Sequence, residues 1–303
     1  MTVNRILLLD GGMGRELRNR GVPILDTIWS ANALIVAPGV VLQIHRDSIA
    51  AGADVITTNT YGIIRQELAK EGVESRFAEL NVQACNLARQ ARETAERPVL
   101  IAGSLPPLRG SYRPDLVRPR DEIEPLYHEQ AMLLAPYVDL LLCETMSSAA
   151  EAVAAAEAAA ATGLPVWVSF TLEDNGSGRL RSGETVTMAI AALDGLPISG
   201  VLANCCPPES ITAAMPELAA SGKRRVGGYA NTFVPVPAGW TLDGGGESDG
   251  LIPTRDDLDP RAYGDHAHTW LNLGATVIGG CCGTGPMHTA RQRQLIDRAA
   301  LNV

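Results

Sequence analysis

VDLLLCETMSSAAEAVAAAEAAAATGLPVWVSFTL, residues 138–172, holds a strand, a helix and a second strand in one stretch. Its outer runs, VDLLLCET (138–145) and PVWVSFTL (165–172), are apolar almost throughout and do not alternate. That is the pattern of parallel strands buried on both faces. Between them, Ser147 stands where a cap is wanted before an alanine-rich run, and the pattern predicts a helix over 147–162.

Worked outward, the unit recurs. ILLLD (6–10), DVITTNT (54–60) and PVLIAGSL (98–105) precede it; GVLANCC (200–206), RRVGGYAN (224–231) and ATVIGGCC (275–282) follow. Helical patterns fill the gaps at 39–51, 74–95, 121–135, 184–194, 208–221, 260–273 and 286–300, with Pro208 and Glu209 opening the segment after the first cysteine pair. Strand and helix alternating eight times predict an α/β fold of one domain, a single (β/α)8 TIM barrel over 1–303. An open doubly wound sheet is the alternative. Two stretches break the rhythm, 106–120 after the third strand and 232–259 after the seventh. Both leave the C-terminal end of a strand, where a barrel keeps its active site, so they read as functional lids or unstructured loops and not as interdomain linkers.

Composition narrows the function. Of 303 residues 46% are apolar and only 4% aromatic, so the core must be built from Ala, Val, Leu and Ile. A balance of 25 basic to 34 acidic residues, net −9, argues against nucleic acid or an anionic membrane surface as the main partner. MTVNRILLLDGG carries one Arg and a short apolar run before Asp10, too short for a secretory core, and no later run approaches a membrane span. A cytoplasmic protein is expected. In a reducing compartment six cysteines point to metal binding or catalysis, not to disulfides.

The strands end on Asp10, Thr58, Ser104, Glu144, Thr171, Cys205, Asn231 and the pair Cys281–Cys282, which gathers polar and thiol groups on one rim. Zinc favours thiolates, and a catalytic site uses three protein ligands with one open position. Cys205–Cys206 in ANCCPPE and Cys281–Cys282 in IGGCCGTGP offer such ligands, with Gly279, Gly280 and Gly283 removing bulk where two successive sulfurs must turn to one ion. The ordinary alternative for a Cys-Cys pair is a pair of small buried hydrophobes, as Cys85 and Cys143 are expected to be. Two carboxylates suit a cation, and a Thr hydroxyl with backbone amides suits a carboxylate. Against these roles stand Asp10 as a cap for the turn before GGMGREL, Glu144 as a cap for the next helix, and Thr58 and Thr60 as plain β-formers.

LLDGGMGREL (8–17), ADVITTNTYG (53–62), AGS (102–104), CETMSSAAEA (143–152), ANC (203–205) and WLNLGATVIGGCCGTGPMH (270–288) together resemble the homocysteine S-methyltransferases nearly end to end. That family shares a domain with betaine–homocysteine methyltransferase and with the homocysteine-binding module of cobalamin-dependent methionine synthase. The resemblance implies that Cys205, Cys281 and Cys282 hold Zn2+, that Asp10 and Glu144 receive the ammonium group of homocysteine, and that Thr58 and the amides around Gly11 receive its carboxylate. It also implies Asn231 as a fourth zinc ligand at rest and Cys206 as a neighbour, not a ligand.

No cobalamin or folate module follows in the 21 residues after Cys282, so a free small donor is expected, a sulfonium such as S-methylmethionine, with S-adenosylmethionine or betaine as alternatives. Asn59, Tyr61 and Gly62 stand where the betaine branch has an aromatic-rich stretch, which disfavours betaine. Trp29 and, more weakly, Trp240 are candidate walls for a sulfonium. A different thiol or a selenol as acceptor is a further alternative. Three rival functions predict other things. A dinucleotide site would use Gly12 and Gly14 of a G-x-G-x-x-G whose third position is Leu17. A dithiol redox enzyme would cycle Cys281–Cys282 without metal. A zinc- or thiol-binding barrel without catalysis would have no use for Asp10, Thr58 and Glu144.

Overall fold

The structure, a computed structural model, describes residues 5–25, 27–237, 239–240 and 252–301. The strands are β1 (Leu7–Leu8), β2 (Val55–Thr57), β3 (Leu100–Leu105), β4 (Leu140–Met146), β5 (Val166–Phe170), β6 (Ile198–Asn204), β7 (Arg225–Ala230) and β8 (Val277–Gly280). They form one 8-stranded sheet in the order β1-β8-β7-β6-β5-β4-β3-β2, so each strand lies beside its neighbour in sequence. All seven pairings are parallel, including β1 with β8. The seam between β1 and β2 is joined by a parallel bridge from Leu9 to Val55. Across it Asp54 N donates to Leu8 O at 2.7 Å and Asp10 N to Val55 O at 3.0 Å. The ring is thereby closed, and the open-sheet alternative is set aside.

Helices cover the outside. Between β1 and β2 lie α1 (Met13–Asn19), α2 (Asn32–Val36) and α3 (Pro38–Ala50); between β2 and β3, α4 (Arg65–Lys70) and α5 (Phe77–Arg92). Then α6 (Arg120–Leu134), α7 (Ala149–Ala160), α8 (Val186–Ala191), α9 (Pro208–Ala220), α10 (Pro260–Asn272) and α11 (Pro286–Leu301) each follow one strand. Every helix predicted from the sequence falls on one of these. The short α1, α2 and α4 were outside that expectation, because a helix of one or two turns is too brief for a 3.6-residue period to register. The cap of α7 also moves by one residue. Ser148, not Ser147, is the N-cap and accepts from Glu151 N at 3.3 Å, while Glu151 reaches back to Ser147 N and Oγ, both at 2.8 Å. This is the reciprocal arrangement that satisfies otherwise open amides at a helix start.

Side chains alternate across each strand and so divide the core in two. Leu140 and Leu142 point into the barrel with Leu9, Val55, Trp167 and Tyr229, whereas Leu141 and Cys143 face the helices. With few aromatics available, alanine does much of the outer packing. Ala152, Ala155, Ala156 and Ala159 of α7 are fully buried, which lets that helix lie close on β4 and β5. Among the described residues no helix is long and apolar enough to cross a membrane.

Candidate active site

The C-terminal ends of the strands open on a cavity whose empty volume, part of it open to solvent, is about 970 Å³. Asp10, Gly11, Thr58, Glu144, Cys205, Cys281, Cys282, Trp29 and Trp240 all line it. Asn231 does not. It is buried, and its Oδ1 accepts from Phe233 N at 3.2 Å, shaping the turn that leaves β7.

Three thiols form the floor. Cys205 follows β6, Cys281 and Cys282 follow β8, and their sulfurs all lie within 4.8 Å of one another. Glycines make this possible. Gly283 has φ +82°, and a Cβ there would sit 2.0 Å from Thr232 Oγ1; a Cβ on Gly12 would sit 2.5 Å from Cys281 O. Both positions must stay bare for the chain to turn both sulfurs inward. Thr284 Oγ1 fixes the turn by donating to Cys281 O at 2.7 Å.

The thiols share protons unevenly. Hydrogen bonds from Cys281 and Cys282, with one from Tyr112 O–H at 3.0 Å, hold Cys205 well below the ordinary thiol range. Cys281 and Cys282 are pushed well above it, first by their bonds to Cys205. A divalent cation among the three sulfurs would draw off their protons. Soft donors at this spacing suit a thiophilic metal ion, and the cluster can hold one. Cys206, the next residue, points away from the group. It is fully buried in the helix-facing core, where burial pushes its thiol up to about 12.

The two acids stand on the inner wall. Asp10 accepts from Thr57 N at 2.9 Å and from Thr57 Oγ1 at 3.0 Å. Glu144 accepts from Ser104 Oγ and from Tyr229 O–H, the latter at 3.3 Å. Burial raises each carboxyl to about 7 despite those hydrogen bonds. Neither has a basic partner within ion-pair distance among the described residues. An incoming ammonium group would restore both charges. Thr58 lines the cavity beside them. Its Oγ1 lies 2.9 Å from Thr60 Oγ1 and accepts from Ser104 N at 3.1 Å, so the hydroxyl is already occupied within the rim.

Among the described residues four that are not glycine have left-handed backbone, namely Trp29, Tyr112 and Cys205, which line the cavity, and Thr145, which follows Glu144. Such conformations cost about 1–3 kcal/mol each and persist where surrounding structure enforces them. Asn204 supplies much of that enforcement. Its Oδ1 accepts from Thr145 N and its Nδ2 donates to Thr145 Oγ1, both at 2.9 Å, tying the residue after Glu144 to the residue before Cys205. Asn204→Ala is therefore expected to lower stability by about 1–3 kcal/mol through the buried amide it leaves unpaired, measured by urea denaturation. An unchanged midpoint would show that the clamp is idle.

Sequence reading missed Thr57, Tyr112, Tyr229 and Arg15 as cavity residues. It also missed the brace from the loop after β5. There Arg181 pairs with Asp174 and lies 4.8 Å from the Tyr112 ring, while Asp174 accepts from Val236 N at 2.7 Å. Of the two long stretches, 106–120 brings Tyr112 over the thiols. The first part of 232–259 brings Phe233 and Trp240 to the same place; residues 241–251 lie outside the described structure.

The homocysteine S-methyltransferase family model matches residues 7–296. The chain is 32% identical to the homocysteine S-methyltransferase of Escherichia coli (strain K12), covering 94% of this chain and 93% of that one. It is 25% identical to a selenocysteine Se-methyltransferase of Brassica oleracea var. italica over 97% of this chain and 90% of that one. In three dimensions it is similar to the metallated form of the E. coli homocysteine methyltransferase MmuM, with TM-score 0.79, 29% identity and 97% of each chain covered. From the closed parallel barrel, the three thiols at its mouth and these matches, the chain belongs to the homocysteine S-methyltransferase family.

Proposed function

We propose that this protein moves a methyl group from a small sulfonium donor, such as S-methylmethionine, to the thiol of homocysteine, giving methionine, with zinc held by Cys205, Cys281 and Cys282. The observation that carries the reading is one cavity in which three thiols within 4.8 Å meet two buried carboxyls near neutrality. Cys205, Cys281 and Cys282 would hold the ion, which when bound would make a substrate thiol acidic enough to ionise at neutral pH. Asp10 and Glu144 orient the acceptor by receiving its ammonium group. Backbone around Gly11 is left as the seat for its carboxylate, since the Thr58 hydroxyl is engaged elsewhere. Tyr112 and Trp240, with ring centroids 5.6 Å apart, screen the sulfurs from water. We place the protein in the cytoplasm, where its unpaired cysteines would stay reduced.

A selenol would use the same groups as a thiol, and one relative carries that activity in its name. The test is methyl transfer to homocysteine and to selenocysteine from a donor panel of S-methylmethionine, S-adenosylmethionine and betaine. S-methylmethionine with homocysteine is expected to give the highest kcat/KM. No turnover of homocysteine with any donor would end the proposal.

A further inference from the structure

The cavity also carries groups that the acceptor does not need. Of the described charged residues lining it, Asp10 and Glu144 are braced by β2, β3 and β7, and Arg15 belongs to α1. The Arg15 guanidinium lies 5.7 Å from the Phe233 ring centre and donates through Nη2 to Ile252 O at 2.7 Å. The groups that act on it electrostatically are Cys282, when that thiol is ionised, and Arg18 of its own helix. It makes no ion pair with a carboxylate among the described residues, and a partly buried guanidinium without one favours an anionic ligand.

Trp240 lines the same cavity at 6% exposure, and its buried Nε1–H has no acceptor among the described residues. A buried N–H normally finds a partner, so this one points to a ligand acceptor. The rings of Tyr112, Phe233 and Trp240 pack in one cluster with Cys205 and against Cys281 and Cys282. Aromatic faces next to the thiols suit a methylated sulfonium.

We propose that Arg15, with the Trp240 N–H, receives the carboxylate of the methyl donor, so that the enzyme selects donors carrying a sulfonium and a carboxylate on one small molecule. The inference rests on the sulfonium reading above. Homocysteine is the wrong owner for this carboxylate. Its carboxylate and ammonium share one carbon, and in the proposed function the ammonium sits at Asp10 and Glu144, neither of which is among the groups acting electrostatically on Arg15. In the transfer, the homocysteine thiol has released its proton to solvent, and an electron pair on its sulfur forms the new S–CH3 bond. The donor's S–CH3 bond breaks with its pair going to the donor sulfur, leaving a neutral thioether. The donor carboxylate is unchanged throughout, so Arg15 binds ground state and transition state alike. Its loss should appear in KM and not in kcat.

The test uses the zinc-loaded enzyme with saturating homocysteine and two donors, S-methylmethionine and (3-aminopropyl)dimethylsulfonium, which is the same molecule without its carboxylate. Arg15→Gln is expected to raise KM for S-methylmethionine by about 30-fold or more, with kcat, homocysteine KM and zinc content little changed. For the decarboxylated donor the change should stay within about 3-fold, and Arg15→Lys should recover part of the S-methylmethionine loss. Equal losses with both donors would overturn the inference, as would a loss that follows homocysteine KM. A wild type that uses both sulfonium donors equally well would overturn this inference alone. A wild type that methylates homocysteine from betaine but from neither sulfonium would overturn the sulfonium reading with it.

Discussion

Cys282→Ala is expected to abolish methyl transfer, by a factor beyond about a thousand, while the barrel stays folded. The side chain is half-buried on the rim, and its sulfur belongs to the three-sulfur group. Truncation leaves two thiols, too few to keep a catalytic ion with one open position. It removes nothing from the packed layers inside or outside the strands. Cys206→Ala is the matched control. Its thiol is fully buried against the helices, and burial holds it protonated. Removing one buried sulfur there should cost about 1 kcal/mol of stability and leave most activity. Zinc content, methyl-transfer rate and thermal unfolding of both variants decide the matter. If the two lose activity alike, the division between ligand and neighbour is wrong.

Glu144→Ala should weaken homocysteine binding by about 30-fold or more, because truncating one partner of a buried charge-assisted contact costs about 2–5 kcal/mol. The carboxylate meets Ser104 Oγ and Tyr229 O–H on the cavity wall and lies outside the sulfur group, so zinc content should not change. A thiol without an amino group, 3-mercaptopropionate, should be a poor substrate for the wild type and lose little more in the variant. Glu144→Gln keeps the shape and both hydrogen-bonding neighbours, so it separates loss of charge from loss of packing. Steady-state kinetics with the two thiols is the measurement. Equal losses for both would mean that Glu144 supports the fold or the metal site, and the amino-acid pocket would lie elsewhere.

The barrel was legible because its strands are short apolar runs and its major helices are long enough to show a period. α7 is the clear case, with only its cap displaced by one residue. The short helices at the mouth carry no such signal, and α1, which presents Arg15, was visible only as the glycine-rich GGMGREL. The rim residues Asp10, Glu144, Cys205, Cys281 and Cys282 were legible because each ends an apolar run in a polar or thiol group. Thr57 was not, since it reads as one more β-former beside Thr58, and only the closed seam between β1 and β2 brings it to Asp10. Asn231 is the converse. Its place at a strand end fits the rim, but the turn after β7 takes its side-chain oxygen. Tyr112 had the length of the 106–120 stretch as its only signal, and its distance of 3.0 Å from Cys205 Sγ depends on long-range packing.

A thiophilic ion on Cys205, Cys281 and Cys282 is expected to be required for methyl transfer to homocysteine. The direct measurement is zinc content and methyl-transfer rate on the same samples as the metal is withdrawn with a chelator under reducing conditions and then restored. About one zinc per chain is expected in the fully active enzyme, with activity falling in proportion to zinc and recovering when zinc returns. A metal-free preparation with full activity would contradict it.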